Sequence, residues 1–300
     1  MIPSFLKEGD TIAIAAPARK VTEPEIASAV KFLENQGFNV VLGENLFAED
    51  NRFAGTDEER AADLQQFFNN DNIRAIICAR GGYGSVRIID RLDFTHFLQN
   101  PKWICGFSDV TVFHSHLSRF GCASIHSTMA KLIHEDGLEN MNNRTLLQAL
   151  KGQLLAYSFP PHISNRTGSA QGEIVGGNLS LIYAMLASPS EIATDGKILF
   201  IEEVGEYLYH IERMMISLKR AGKLTHLAGL IVGDISVKEE PDDIPFGRTA
   251  EQIIADCVAE YDYPLCFNFP AGHGENNVAL RFGTPAELTV AEFGSTLLIR

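Results

Sequence analysis

The sequence predicts an α/β protein with an N-terminal parallel-sheet domain and a second, mixed α/β domain that is rich in β-structure. Three observations support this fold class. Short apolar runs alternate with helix-like spacing in the first half, which is typical of a parallel sheet. The periodicity fades in residues 151–172, and two β-rich runs separated by turn residues close the chain, as in a hairpin. With 300 residues, the chain is long enough to form two cores.

The composition is that of an ordinary globular protein, with 45% hydrophobic and 21% charged residues. The formal net charge of −13 argues against binding to nucleic acid or to anionic membranes. The first residues, MIPSFLKEGD, lack the basic-then-apolar pattern of a signal peptide, and no apolar run approaches the length of a membrane span. We therefore expect a cytoplasmic protein.

The five cysteines are an odd number without a C-x-x-C pair, and three lie in apolar, strand-like runs. They indicate reduced core thiols, so we expect neither a disulfide framework nor a zinc site. No H-E-x-x-H motif appears, and we expect no metal and no cofactor. The cysteines are Cys78, Cys105, Cys122, Cys257 and Cys266.

Strands and helices alternate in the first half of the chain. Apolar runs bounded by turn residues predict strands, and apolar residues at helical spacing predict helices. A capping-box pattern at Thr56–Glu59 opens one of these helices. The predicted strands are 11–16, 39–42, 73–79, 103–105 and 123–126, and the predicted helices are 23–36, one from 56 to about 68, a short one toward 89, and 110–120.

The second half mixes the same two patterns. We place the domains at 1–152 and 171–300, with 153–170 as a linker, because residues 151–172 contain Pro-Pro, Asn, Gly and Ser without clear periodicity. The predicted strands are 197–201, 227–232, 264–269, 286–290 and 295–299, and the predicted helices are 179–187, 207–221 and 249–261.

Ser108 lies at a bend between a predicted strand, which Gly106 ends, and a predicted helix. A serine at such a bend projects from the backbone, and the N–H of the next residue, Asp109, can stabilise negative charge beside it. This is the geometry of an acyl-transfer nucleophile, although G-x-S-D differs from the G-x-S-x-G motif of the hydrolases. Alternatively, Ser108 or Asp109 only caps the helix.

The turn Arg80-Gly-Gly-Tyr-Gly84 also connects a strand to a helix. It lacks both G-x-G-x-x-G and the P-loop ending, so phosphate binding is a weak hypothesis. A glycine-rich turn can also bring a backbone N–H to a substrate oxygen as a second oxyanion donor. The simplest interpretation is a tight turn without a chemical role.

Glu202 and His273 each follow a predicted strand, where α/β proteins often place functional groups. Glu203 and Glu206 compete with Glu202, and a solvated acidic loop is the alternative. Glycines flank His273 and allow close approach. The order Ser, Glu, His is also that of the α/β-hydrolase triad, but chain order proves little because triads recur on unrelated folds.

Five separated motifs together resemble the LD-carboxypeptidase family of serine peptidases, which includes muramoyltetrapeptide carboxypeptidases and microcin-immunity peptidases. In chain order they are ARGGYG, CGFSDVT, VGGNL, LFIEEVGEYLYHIERM and FPAGHGENN, and FAGTDEER before the first also resembles the family. The resemblance extends from about Ile12 to the C-terminus. One departure is His126-Ser-Thr-Met129, where many members have G-P-M.

The resemblance implies Ser108 as the nucleophile, with Glu202 and His273 as its relay partners. It implies an oxyanion hole made by the backbone N–H groups of Gly82 and Asp109. Family members have two domains, use no metal and are commonly dimers. Nucleophile and base then come from different halves of the chain, so the site is expected in a cleft between the domains.

The function that this resemblance implies is hydrolysis of the L,D-peptide bond of murein tetrapeptide, which releases the terminal D-alanine during cell-wall recycling. A microcin-immunity-like peptidase that acts on peptidyl-nucleotides or acyl-amino acid amides is the alternative enzyme. A non-catalytic binder of muropeptides or nucleotides is a third hypothesis. Arg80 and Arg87 are nearby candidates for recognising the terminal carboxylate of the substrate. We expect the protein to form a homodimer, as members of this family commonly do.

Overall fold

The computed structural model describes residues 1–238 and 244–300, which form two β-sheets with helices packed around them. Strands and helices alternate along the first half of the chain, as the periodicity predicts. The strands are β1 (Thr11–Ala15), β2 (Asn39–Leu42), β3 (Ile73–Cys78), β4 (Trp103–Gly106), β5 (Ser124–His126), β6 (Leu155–Phe159), β7 (Gly168–Asn178), β8 (Ile198–Glu206), β9 (Gly229–Val237), β10 (Leu265–Cys266), β11 (Leu280–Phe282), β12 (Pro285–Ala291) and β13 (Gly294–Ile299).

Several helices begin at residues that suit helix N-termini. Thr56 and Thr249 form capping boxes, and the side chain of Asn140 accepts hydrogen bonds from two backbone N–H groups. The α-helices are α1 (Glu23–Asn35), α2 (Asp57–Phe68), α3 (Ser85–Ile88), α4 (Thr95–Gln99), α5 (Thr111–Arg119), α6 (Met141–Leu150), α7 (Leu179–Ala184), α8 (Leu208–Arg220) and α9 (Ala250–Cys257). Short 3₁₀ helices span Ile89–Arg91, Ser108–Val110, Ala130–Leu132 and Gly137–Glu139.

The first sheet has the strand order β11-β5-β4-β3-β1-β2. Its five N-terminal strands are parallel, and β11 from the end of the chain adds an antiparallel edge next to β5. The carboxyl ends of β1, β3 and β4 therefore meet at one edge, where α/β proteins bind ligands. The second sheet, β10-β9-β8-β7-β12-β13-β6, is parallel from β10 to β7 and antiparallel from β7 to β6.

One hydrophobic core contains side chains from both sheets. Alternate residues of a strand point to opposite faces, so Ile12 and Ile14 of β1 join Phe200 of β8 in this shared core. The face of each sheet that points away from this core has its own cover of helices. Helical side chains pack on Ile76 in the first sheet and on Ile201 in the second. Within residues 1–238 and 244–300, no helix combines the length and the apolar character needed to cross a membrane.

The predicted fold class is confirmed, and the closing hairpin forms as β12 and β13. Several predicted segments differ in extent. The strand predicted at 197–201 continues through Glu206 as β8, because register shifts after Ile201 and Glu203 let its polar residues pair with β9. The strand predicted at 264–269 is only the two-residue β10, because the chain beyond it leaves the sheet. The helix predicted at 249–261 ends at Cys257.

The segment predicted as a linker, 153–170, contains β6 and the start of β7. β6 pairs with β13 through residues Leu155 to Phe159, so its pairing partner lies more than a hundred residues later in the chain. Local periodicity cannot reveal such a partner, and in the sequence LAYSF only the two end residues are buried, while the three between them are exposed or half-buried. The domain boundaries at 152 and 171 stay a prediction.

Candidate active site

Ser108 lies two residues after the end of β4, in a tight bend that leads through a 3₁₀ turn into α5. Its φ angle of +60° is in the left-handed region, which a residue other than glycine adopts at a cost of about 1–3 kcal/mol. A serine in such a strained strand-to-helix turn presents its hydroxyl at the edge of the sheet. The geometry is that of a nucleophile elbow, reached without the second glycine of G-x-S-x-G.

The glycine-rich turn after β3 packs against this bend. The position that a Cβ of Gly81 would occupy lies 3.2 Å from Ser108 Cβ and 3.5 Å from the backbone nitrogen of Asp109. The Asp109 side chain is buried and accepts a hydrogen bond of 2.8 Å from the backbone N–H of Ser85. Burial raises the pKa of Asp109, and the hydrogen bonds from Ser85 and Gly84 act in the opposite direction. Asp109 thus ties the nucleophile bend to the turn.

His273 contacts both of the other predicted relay residues. Its Nε2 lies 3.0 Å from Ser108 Oγ, and its Nδ1 lies 2.7 Å from Glu202 Oε2. Glu202 is completely buried, whereas the His273 side chain is 20% exposed. The structure therefore brings Ser108, His273 and Glu202 into one hydrogen-bonded series with the imidazole in the centre.

The surroundings of His273 favour its protonated form. Burial alone lowers the pKa of His273, but the hydrogen bond with Glu202 and the negative charges of Glu202, Glu203 and Asp234 outweigh it, so the pKa is raised. Burial also raises the pKa of Glu202, and its hydrogen bond with His273 works against this shift. A carboxylate in this position stabilises an imidazolium and keeps the ring in one orientation.

Two models of known protein domains cover most of the chain. The LD-carboxypeptidase N-terminal domain matches residues 12–127, and the LD-carboxypeptidase C-terminal domain matches residues 171–288. The chain belongs to the LD-carboxypeptidase family. The resemblance seen in the sequence is thereby confirmed.

Several individual proteins are similar over nearly the whole length of this family member. The chain is 36% identical over 302 residues to the probable murein peptide carboxypeptidase of Bacillus subtilis, covering 97% of this chain and 92% of that protein. The crystal structure of muramoyltetrapeptide carboxypeptidase from Oxalobacter formigenes superposes with a TM-score of 0.87 at 27% identity, covering 96% of this chain and 98% of the other. The microcin C7 self-immunity protein of Escherichia coli is 24% identical over 325 residues, 94% of this chain and 91% of that protein.

The His273 loop is held by contacts with distant parts of this LD-carboxypeptidase fold. Gly272 has a φ of +138°, and a Cβ there would lie 3.2 Å from Glu202 Cβ and 2.9 Å from Asp234 Cβ. Only glycine allows the loop to lie this close to β8 and β9. Asn277 Oδ1 accepts a hydrogen bond of 3.1 Å from the Gly272 N–H, and it lies 3.0 Å from Nε2 of the buried His126. Through Asn277, the His273 loop is thus fixed to β5.

The two halves of the site also interlock next to the nucleophile. The backbone N–H of Asn178, at the end of β7, donates a hydrogen bond of 2.9 Å to Thr111 Oγ1 at the start of α5. Asn178 Nδ2 in turn donates to Glu203 Oε1 at 3.0 Å, and Glu203 Oε2 accepts from the backbone N–H of Ser180. Both carboxylate oxygens of Glu203, the alternative to Glu202 in the sequence, therefore accept hydrogen bonds from β7 and α7.

The other acid that competed with Glu202 lies elsewhere. Glu206 Oε2 is 2.7 Å from His210 Nδ1, one helical turn away, and is the last residue of β8. Glu202 lies within β8 and not after its end, which corrects the sequence-based placement. The strand nevertheless points this carboxylate at His273, because Glu202 lies two residues after Phe200 and so on the face of β8 that packs toward the first sheet.

Two contacts of the site were missed in the sequence. Phe107 packs its ring 4.8 Å from the His273 ring, and the sequence showed it only as the x of G-x-S-D. Asn277 lies in the last motif but offered no separate signal of a role. Arg87, a candidate for carboxylate recognition, instead pairs with Asp57 at 2.8 Å. Among the residues that the structure describes, no three His, Cys, Asp or Glu side chains are grouped to hold a metal ion.

Proposed function

We propose that this family member is a serine carboxypeptidase that hydrolyses the L,D-peptide bond of murein tetrapeptide and releases the terminal D-alanine. The hydrogen-bonded series Ser108–His273–Glu202 carries this proposal. Hydrolysis of an amide needs a nucleophile, a base close to it, and stabilisation of the tetrahedral intermediate. The named activities of the similar proteins from Bacillus subtilis and Oxalobacter formigenes support the choice of substrate.

In the first half of the reaction, Ser108 Oγ attacks the carbonyl carbon of the scissile bond. His273 Nε2 takes the hydroxyl proton over the 3.0 Å contact, and Glu202 stabilises the resulting imidazolium through Nδ1. The intermediate then collapses, the carbon–nitrogen bond breaks, and the imidazolium gives its proton to the leaving amine of D-alanine. The remaining peptide stays bound to Ser108 as an ester.

In the second half, His273 takes a proton from a water molecule, whose oxygen attacks the ester. Collapse of the second intermediate returns the proton to Ser108 Oγ and frees the shortened peptide as a carboxylic acid. The same three side chains therefore serve both halves. Phe107 against the imidazole and the complete burial of Glu202 keep the base in a single orientation throughout.

We propose the backbone N–H groups of Gly82 and Asp109 as the oxyanion hole for both intermediates. The close packing of Gly81 on Ser108 and on the Asp109 nitrogen supports this pairing, because it brings the turn beside the nucleophile. The Asp109 side chain supports it as well, since its bond to Ser85 fixes the spacing of the two segments. Donors fixed in advance by such contacts need no rearrangement when charge develops.

The experiment is a comparison of substrates by mass spectrometry. Purified protein is incubated with murein tetrapeptide and, separately, with a peptidyl-nucleotide. We expect release of D-alanine from the tetrapeptide, and no release in the Ser108→Ala variant. Hydrolysis of the peptidyl-nucleotide alone would favour the second candidate function, a microcin-immunity-like peptidase, which the likeness to the Escherichia coli self-immunity protein supports.

We further propose that the protein acts in the cytoplasm as a homodimer, as the family resemblance implies. The proposed substrate is a small peptide of the kind recovered from the cell wall, and the net charge of −13 gives no attraction to nucleic acid or anionic lipid. Fractionation of cells and light scattering of the purified protein test the two parts separately. A monomer at micromolar concentration would contradict the dimer and leave the proposed chemistry intact.

A further inference from the structure

Arg19 lies at the same edge of the first sheet as the proposed nucleophile. It follows β1, and β1 is the neighbour of β3, which in turn is the neighbour of β4. Arg19, the glycine-rich turn and Ser108 thus follow three adjacent parallel strands. Groups placed this way converge at one crevice of an α/β sheet.

The Arg19 side chain lies directly on the glycine-rich turn. The position of a Cβ at Gly82 would be 2.5 Å from Arg19 Cδ and 2.7 Å from Arg19 Nε, which is closer than a real Cβ can come. Gly82 also has a φ of +110°. Only glycine can therefore occupy this position while Arg19 keeps its present conformation. The Arg19 side chain thus packs against the glycine-rich turn that carries the proposed oxyanion donor Gly82.

The guanidinium of Arg19 has no anionic partner in the described part of the chain. Its Nε is buried and makes no hydrogen bond to any described residue, while the side chain as a whole is half-buried. Neighbouring arginines are occupied: Arg60 and Arg87 pair with Asp57, and Arg91 pairs with Glu58. Holding a cation partly out of water without a counter-charge is unfavourable, so this position is suited to an anion from outside the chain.

The proposed substrate carries such an anion at a defined place. In a C-terminal D-alanine, only the amide nitrogen and Cα separate the scissile carbonyl from the carboxylate, so the two carbons lie roughly 3–4 Å apart. The carboxylate must therefore bind close to the nucleophile. Glu202, Glu203 and Asp234 surround His273 with negative charge and would repel it. A cation on the opposite side, at the glycine-rich turn, would attract the carboxylate and hold it away from these acids.

We propose that Arg19 forms the subsite for the terminal carboxylate of the substrate and makes the enzyme select free C-terminal acids. This inference rests on the proposed carboxypeptidase function and adds the residue that defines its specificity. A guanidinium binds a carboxylate through two parallel hydrogen bonds, which fixes the position of the last residue as well as its charge. Arg80 has a different role here, since it donates to the backbone carbonyl of Lys20 at 3.4 Å and supports the segment that carries Arg19.

The test measures binding without turnover. In a Ser108→Ala background, calorimetry gives the Kd of the tetrapeptide and of the same peptide ending in D-alaninamide. We expect the acid to bind at least about 30-fold more tightly than the amide, as is usual when a paired charge is removed. Arg19→Gln should reduce this preference to about threefold or less while leaving the Kd of the amide unchanged. Arg19→Lys should retain part of the preference, because the lysine ammonium keeps the positive charge but cannot form the two parallel hydrogen bonds of a guanidinium.

Arg87→Gln is the matched control, because it removes the same charge near the same turn from a residue that already pairs with Asp57. It should keep the full preference for the acid. An unchanged preference in Arg19→Gln, equal binding of acid and amide by the Ser108→Ala protein, or loss of the preference only in Arg80→Gln would each overturn the proposal. An unchanged amide Kd and melting temperature exclude misfolding as the cause.

The two proposals fail in different ways. If the wild-type protein releases no D-alanine but the Ser108→Ala protein binds the acid through Arg19, the carboxypeptidase function is wrong and the carboxylate subsite stands. If D-alanine and D-alaninamide are released equally well, the function stands and the role of Arg19 is wrong. Binding of neither peptide refutes the subsite.

Discussion

The two regions that form the site are built in different ways. The nucleophile region consists of short turns after adjacent parallel strands, so Ser108, Asp109 and the glycine-rich turn are positioned largely by their own sheet. The base region is assembled from distant segments. Glu202 lies in an irregular part of β8, and His273 lies on a loop fixed by Asn277.

This difference shows where the site is sensitive. The strained bend of Ser108 is held by adjacent elements, namely the end of β4, the packing of Gly81 and the buried side chain of Asp109, which bonds to Ser85. The base region depends on one buried carboxylate and a few hydrogen bonds across the chain. We therefore expect changes in the base region to act mainly through the orientation and the pKa of His273, and changes in the turn to act mainly through stabilisation of the intermediate.

The largest effect is expected when either end of the proton transfer is removed. Ser108→Ala and His273→Ala should each lower kcat on tetrapeptide by about 10⁶-fold. The two residues act as one catalytic unit, so removing either one abolishes nearly all of the rate acceleration that they provide together. The double variant should be no slower than either single one. Steady-state kinetics of the three variants tests this, and a double variant that is slower by the product of the two effects would show that the residues act independently.

The next largest effect concerns the orienting acid. Glu202→Gln should lower kcat by about 10⁴-fold, since an amide cannot stabilise the imidazolium. Glu206→Gln is the matched control, because it removes the same charge from the same strand but breaks only the contact with His210. It should keep most of the activity and cost about 0.5 kcal/mol of stability. An inactive, folded Glu206 variant beside an active Glu202 variant would reverse the assignment.

A smaller effect is expected in the turn. Gly82→Ala forces a Cβ into the space of Arg19 and into an unfavourable φ of +110°, so the proposed oxyanion donor should move. We expect a loss of about 10²–10³-fold in kcat, the usual result of losing one donor. Gly222→Ala is the control, because its φ of +76° gives similar strain in open space far from the site. It should lower the melting temperature and leave kcat unchanged.

The smallest expected change is a shift in the pH profile. His273 must be neutral to take the Ser108 proton, so kcat/KM falls as the pH drops through the pKa of His273. Burial lowers this pKa, but Glu202 and the nearby charges raise it overall, which places the acidic limb above that of an ordinary histidine. Glu202→Gln removes the main cause of the increase. The residual activity of that variant should therefore have its acidic limb at lower pH, and a limb that stays in place or moves upward would contradict the electrostatic account.

The same contrast explains what could be predicted from the sequence. The strand, bend and helix around Ser108 are local, and so are the alternating elements before it, and they follow from periodicity and turn residues. β6 and β11 were missed because their partners, β13 and β5, are distant in the chain. The contact of His273 with Ser108 was expected from the family resemblance and not from spacing, since 165 residues separate them.

Arg19 illustrates the limit most clearly. It follows a predicted strand, and that position was the available signal, but an arginine after a strand is common and has many roles. Its closeness to Gly82, and its lack of an anionic partner among residues 1–238 and 244–300, are properties of the assembled chain. Arg87, which is nearer to the turn in sequence, pairs with Asp57 of a different helix. Distance along the sequence therefore favoured Arg87, whereas we propose Arg19 for this subsite.

The central claim is that Ser108 is a nucleophile activated by His273. The most direct measurement is mass spectrometry of the intact and digested protein after brief exposure to a serine-directed phosphonate. The account predicts a single adduct, mapped to Ser108, which forms far more slowly in His273→Ala and is absent from Ser108→Ala. An unmodified Ser108, or an adduct on another residue that abolishes activity, would contradict it.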